Sequence, residues 1–195
     1  MVNHLRELIG NQVMVPSCST YKQMEYIAEK TNWQCLMLKM GDVGNIRGII
    51  RYIHSNNKKV MIHLDSLKGI ARDREGIRYL SQIGADAVIS MRAQNIPMIK
   101  EAGMISLLGA FLVDSASVTQ TIVNVGNVKP DVLIAMPITI PDVVFHRLQS
   151  NMNIPIMGGG LGVSCKVIDH ALEIGMQACA VTDREKLSLY ADRHL

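Results

Sequence analysis

The residues best suited to chemistry are three consecutive glycines, in Met157-Gly158-Gly159-Gly160-Leu161-Gly162. Glycines let backbone N–H groups crowd around an anion, and Ser164 is placed to start a helix whose positive end adds to the attraction. The same glycines could equally make tight corners and nothing more. The G-x-G-x-x-G spacing of a dinucleotide site is not met. A second turn, Thr182-Asp183-Arg184, follows the next apolar run. A carboxylate at Asp183 would repel a phosphate unless it caps a following helix.

A second group lies in HLDSLKGIARDREG, from His63 to Gly76. His63 and Asp65 alternate onto one strand face, close enough for a hydrogen-bonded pair or for two contacts to a polyol. A satisfied core histidine and a loop-capping aspartate are the plain alternative. Lys68, Arg72, Arg74 and Arg78 follow, and residues 45–80 carry eight Lys or Arg against three acids. Such a loop is commonly solvated surface, but beside a binding mouth it could engage phosphates of RNA or of a small ligand. With only eight aromatic residues, an aromatic platform for stacking bases is not expected.

A third group comprises Ser90 and Arg92, then Asp114, Ser115 and Ser117. Arg92 could pair with a phosphate or with Asp114, and Asp114 could equally cap a helix. No Ser/His/Asp order, HExxH or P-loop is present. A Schiff-base enzyme would want a lysine at a strand end, and Lys39 is the fair candidate. Cys18, Cys35, Cys165 and Cys179 form no CxxC pair and no zinc spacing, so they read as small buried hydrophobes.

These residues fall at the ends of a repeating pattern. Strand-like runs begin near Gln12, Cys35, Lys59, Asp86, Ile105, Asp131, Ile154 and Ala178. Helix-like stretches lie between them at 21–31, 46–55, 75–83, 93–102, 118–125, 143–150 and 167–174. Thr20, Asn45, Ser117 and Ser164 suit N-caps, Asp142 opens another helix, and Gly84, Gly103, Gly126 and Gly175 suit helix ends. A strand and helix about every 24 residues predicts βα units, and eight of them predict a small closed (β/α)8 barrel over 1–195. At 195 residues the chain is short for that fold, so helices should be short or degenerate, the stretch at 185–192 above all. Barrel sites form at the C-terminal ends of strands, where Lys39, His63, Asp65 and Arg92 fall, and phosphate sites recur after strands seven and eight.

Composition agrees: 48% hydrophobic residues and 19% charged exclude a disordered chain, and a net charge of +3 neither demands nor forbids a nucleic-acid partner. No apolar run reaches the ~20 residues of a membrane helix, and no secretory signal is read, so a cytoplasmic protein is expected.

Taken in order, Pro16, Lys39–Asp42, His63–Ile70, Arg74–Gly76, Ile89–Arg92, Phe111–Ser117, Pro130-Asp131 and Gly158–Leu161 resemble the glycerol uptake operon antiterminator (GlpP-like) family over nearly the whole chain. The resemblance implies a phosphate-binding barrel that binds leader mRNA of glycerol genes and responds to glycerol 3-phosphate. This chain departs from the family pattern at Leu108-Gly109, where Gln-Arg is usual, and at Ile134, where an acid is common. Pro137-Ile138 stands for Pro-Gly, and Asp183-Arg184 for small polar residues. The expectation is a regulator with no cofactor, metal or catalytic residue. Glycerol 3-phosphate would sit at the mouth, with Gly158, Gly159, Gly160 and Thr182 on its phosphate and Lys39, His63 and Asp65 on its hydroxyls. Effector binding would order the loop from Ser66 to Glu75 into an RNA surface. A small barrel enzyme (isomerase, lyase or aldolase) acting on a phosphorylated metabolite is the alternative, a ligand-binding module with no RNA role a third. A homo-oligomer is left open.

Overall fold

Short runs rich in Val, Ile, Leu and Met form strands buried on both faces, as a parallel sheet covered by helices requires. The computed structural model of the protein describes residues 3–162 and 164–182. Its strands are β1 (Met14–Cys18), β2 (Cys35–Leu38), β3 (Lys59–His63), β4 (Ala87–Ser90), β5 (Ile105–Phe111), β6 (Val132–Met136), β7 (Ile156–Gly158) and β8 (Ala178–Val181). All pair in parallel with their neighbours in chain order, and β8 closes on β1 through Met14↔Cys179 and Pro16↔Val181. The result is the closed eight-stranded barrel that the spacing predicts. The helices are α1 (His4–Ile9), α2 (Tyr21–Lys30), α3 (Ile46–Ser55), α4 (Arg74–Gln82), α5 (Ile96–Glu101), α6 (Ser115–Val128), α7 (Asp142–Asn151) and α8 (Cys165–Glu173). The helix expected at 185–192, with Asp183 and Arg184, lies outside the described residues.

Strand alternation divides the core in two. Val15, Met37, Met61, Ile89, Leu107, Ile134 and Met157 meet inside the barrel. Leu36, Leu38, Ile62, Val88 and Leu133 face outward against helix residues such as Ile50, Leu80, Phe145 and Ile168. Helix α1, which the sequence reading does not anticipate, closes the lower end: Leu5, Leu8 and Ile9 are fully buried in the inner core. Gln12 stitches the same end. Its side-chain oxygen accepts the Gln34 and Cys35 amides at 2.8 and 3.0 Å, and its nitrogen donates to the Met14 and Cys35 carbonyls.

Several local expectations change. Asp114, not Ser117, is the N-cap of α6. Its carboxylate accepts the Ser117 amide at 2.7 Å and Ser117 reciprocates on the Asp114 amide, a capping box. Gly126 lies inside α6, which ends instead at Lys129 with φ of 47°. Asn45 precedes α3 but makes no cap bond to it; the carboxylate of Asp42 accepts the Gly44 and Asn45 amides instead. Cys18, Cys35 and Cys179 are buried and Cys165 is half-buried. Burial pushes the thiols of Cys18 and Cys179 up to about 12. Among the described residues no group of His, Cys, Asp or Glu could hold a metal, and no helix is long and apolar enough to cross a membrane.

Candidate functional site

The upper end of the barrel opens into a cavity of about 310 Å3. Inward positions of the strands supply its floor and wall: Ser17 from β1, Met37 from β2, Ile89 from β4, and Ile134 and Met136 from β6. Lys39 and His63 stand at the ends of β2 and β3, and Ala180 to Thr182 come from β8 and its exit. The remaining side is the backbone from Gly159 to Gly162.

That glycine loop has a definite division of labour. Gly158 faces outward, where a Cβ would stand 2.7 Å from Ile138 Cγ1 and 2.8 Å from Met176 Sδ, so it is a packing residue. Gly159 faces inward, and its amide continues the sheet by donating to the Ala135 carbonyl at 2.9 Å. Gly160 and Leu161 both take left-handed backbone, φ 68° and 54°, which turns the chain along the rim. Among the described residues, the N–H groups of Gly160, Leu161 and Gly162 have no acceptor. Helix α8 starts just beyond, its Ser164 hydroxyl accepting the Val167 amide. Three open amides, the Thr182 hydroxyl and the Lys39 ammonium therefore share one cavity, a donor set suited to an oxyanion.

His63 lines the mouth with its Nδ1 at 3.0 Å from the Ser66 hydroxyl, which leaves Nε2 for a ligand. Burial, reinforced by the Lys39 charge and opposed by that of Asp65, holds its imidazole below the ordinary histidine range, so it is neutral near pH 7. The expected His63–Asp65 pair is not formed. After His63 the chain enters a single 3₁₀ turn, Leu64–Ser66, which ends the two-residue alternation. Asp65 instead accepts the Met91 amide at 2.9 Å and lies 3.5 Å from the Arg72 guanidinium, tying the loop after β3 to that after β4. Arg92 is exposed outside the cavity lining, and among the described residues its guanidinium has no partner; Asp114 is occupied as the cap of α6.

The basic residues separate. Arg72 donates to the Asp65 carbonyl as well as pairing with its carboxylate, and Arg74 pairs with Glu101. Lys58 is buried, donating to the Thr31 and Trp33 carbonyls at 2.7 Å, and Lys59 reaches the Glu7 carbonyl at the lower end. Lys68 and Arg78 are exposed without a partner among the described residues. So are Arg47 and Arg51, which the sequence reading counts but does not single out. Their four-residue spacing in IRGIIR puts both on one face of α3, a signal that was available. The loop from Ser66 is already pinned through its backbone: the Lys68 N–H donates to the Gly41 carbonyl and the Lys68 carbonyl accepts from the Val43 amide, both at 3.1 Å. Effector binding is therefore not needed to order this part of it.

The described departures from the family pattern take different positions relative to the cavity. Ile134 is in its wall, Ile138 packs over Gly158, and Gly109 faces inward beneath Met91, whose sulfur occupies the space a Cβ would need. Leu108 faces the outer core.

Comparison with known proteins gives consistent matches. The family model described as glycerol-3-phosphate responsive antiterminator matches residues 14–187. The structure of a glycerol uptake operon antiterminator regulatory protein from Listeria monocytogenes superposes with a TM-score of 0.84 and 26% identity, covering 90% of this chain and 94% of that one. A glycerol uptake operon antiterminator-related protein from Thermotoga maritima gives 0.81 at 18% identity, over 91% and 98% of the two chains. The Escherichia coli K12 protein YgcP is 25% identical over 158 residues, 80% of this chain and 82% of its own.

Proposed function

Because the chain belongs to the glycerol-3-phosphate responsive antiterminator family, we propose that it is an RNA-binding transcription antiterminator of glycerol genes, controlled by a phosphorylated effector in the barrel mouth. The observation that carries this reading is the set of open amides at Gly160, Leu161 and Gly162 in one cavity with Lys39 and Thr182. A glycerol phosphate placed there puts its phosphate on those amides and a hydroxyl within reach of His63. Among the described residues no carboxylate lines the cavity, and the one imidazole in it is held by a hydroxyl.

Coupling to RNA has a physical route. Lys39 and Lys68 sit on loops joined by the Gly41–Lys68 and Lys68–Val43 hydrogen bonds. An effector that engages Lys39 and favours one arrangement of this paired block biases the surface that presents Lys68, and Arg78 beyond it. Calorimetric titration with glycerol 3-phosphate tests the first half, with heat expected at or below millimolar ligand and its absence refuting the site. Binding of a glycerol-gene leader RNA tests the second: affinity should fall steeply with salt and rise with effector.

A further inference from the structure

We propose that the leader RNA lays its phosphate backbone along the outer wall of the barrel between α3 and α4, held chiefly by Arg47 and Arg51. This rests on the RNA reading above and gives that partner a surface apart from the effector cavity. Helices α3 and α4 follow β2 and β3, which pair, so they cover adjacent strands. Side chains join them at both ends. The Tyr79 hydroxyl of α4 donates to the Val43 carbonyl ahead of α3 at 3.2 Å. His54, near the end of α3, lies 2.9 Å from Asp86, between α4 and β4.

Charge is laid out unevenly on this wall. Arg47, Arg51 and His54 recur at helical spacing along one stripe. Among the described helices, α3 is the one with two Lys or Arg and no Asp or Glu. Tyr52, on its other flank, bonds Glu29 of α2, and Arg74 of α4 pairs with Glu101 of α5, so carboxylates border the wall on both sides. Between those borders Arg47, Arg51, Lys68 and Arg78 are exposed and have no partner among the described residues. Asp42 and Asp73 are held by the amides of Gly44, Asn45 and Gly76, which leaves Glu75 as the unpaired acid against four cations. Such a face repels itself until an anion covers it. Gly48 lies exposed between the two arginines, with nothing within 4 Å of where a Cβ would stand. No packing demands a glycine there, and it leaves the helix backbone bare for close approach. Tyr52 and Tyr79 are half-buried with their hydroxyls bonded to protein, so the wall offers no free ring for stacking and suits phosphates rather than bases.

The test is binding of a glycerol-gene leader RNA to the whole chain over a range of salt. Arg47→Ala with Arg51→Ala should weaken binding about tenfold or more at low salt and lower the salt slope by about two. Arg147→Ala with Lys166→Ala removes the same charge from α7 and α8, across the barrel, and should leave the slope where it was. All four side chains are exposed, and thermal melting verifies that the variants are folded. Gly48→Glu sets a carboxylate in the first turn of α3, where it suits the helix, and should weaken RNA binding about fivefold with the fold intact. An unchanged slope for the Arg47 and Arg51 variant, or an equal loss from both pairs, overturns this surface and leaves the antiterminator reading standing. If the unaltered chain binds no leader RNA, that reading and this inference fall together.

Discussion

The two ends of the barrel are built by opposite rules. At the lower end α1 presses Leu5, Leu8 and Ile9 into the inner core, and the loose backbone groups there are taken up by side chains. Gln12 bonds four of them, Arg6 reaches the carbonyls of Gly10, Gln12 and Gln177, and Lys58 caps the end of α2. At the upper end lie six of the seven exposed large hydrophobics among the described residues: Tyr21, Val43, Phe111, Val113, Val143 and Leu161. Three amides and the cations of Lys39, Lys68 and Arg92 are open there among the described residues. One end is finished by the chain's own atoms, whereas the other keeps donors and apolar surface for something else. Stability should therefore map to the lower end and binding to the upper, as barrel architecture favours.

Substitutions can break that division. Gln12→Leu strands the buried Cys35 amide, the part-buried Gln34 amide and two carbonyls at the β1–β2 seam. It should cost about 4 kcal/mol or more in denaturant unfolding, given ~1–3 kcal/mol for each unsatisfied group. Leu8→Ala should cost about 3 kcal/mol by opening a cavity under the inner core, with phosphate affinity unchanged in the folded protein. A loss of affinity with either variant would show that the ends are not independent.

Lys39→Ala is the counterpart at the mouth. It should weaken glycerol 3-phosphate binding about ten- to hundredfold, equivalent to ~1.5–3 kcal/mol for a charged hydrogen bond, and leave the melting temperature nearly unmoved. Replacing Lys68 and Arg78 together should lower the salt slope of RNA binding by about two, near one for each lost phosphate contact. An unchanged slope would move the RNA surface elsewhere.

The smallest effect is one of pH. Burial and Lys39 hold the His63 imidazole below its ordinary range, so the unfolded chain takes up a proton that the folded one refuses. Stability should therefore be full above ~6.5, the unperturbed histidine value, and fall as pH drops through and below it. His63→Gln should flatten that dependence in urea titrations at pH 5 and pH 7.5.

Much of this was legible before any coordinates. Alternating runs announced the barrel, and α3 spans 46–55 as its apolar spacing at Ile46, Ile49, Ile50 and Ile53 predicts. The glycines after β7 announced a place where backbone could meet an anion. Helix α1 was missed because six residues ahead of the first strand carry too little periodicity to stand out. Asp65 was misplaced because strand alternation was carried two residues beyond the end of β3 at His63. The one-turn helix that interrupts it is fixed by contacts to Met91 and Arg72, which lie 26 and 7 residues away in the chain.

Periodicity and residue type alone determined the fold and the rim on which the candidate site falls, because strand and helix periods are local and every parallel strand ends on the same rim. Which cations stay open was decided only by tertiary packing. Lys58, Arg72 and Arg74 are indistinguishable from Lys68 and Arg78 as a run of cations. Groups supplied by neighbouring elements claim the first three: the Thr31 carbonyl after α2 takes Lys58, Asp65 in the turn after β3 takes Arg72, and Glu101 of α5 takes Arg74.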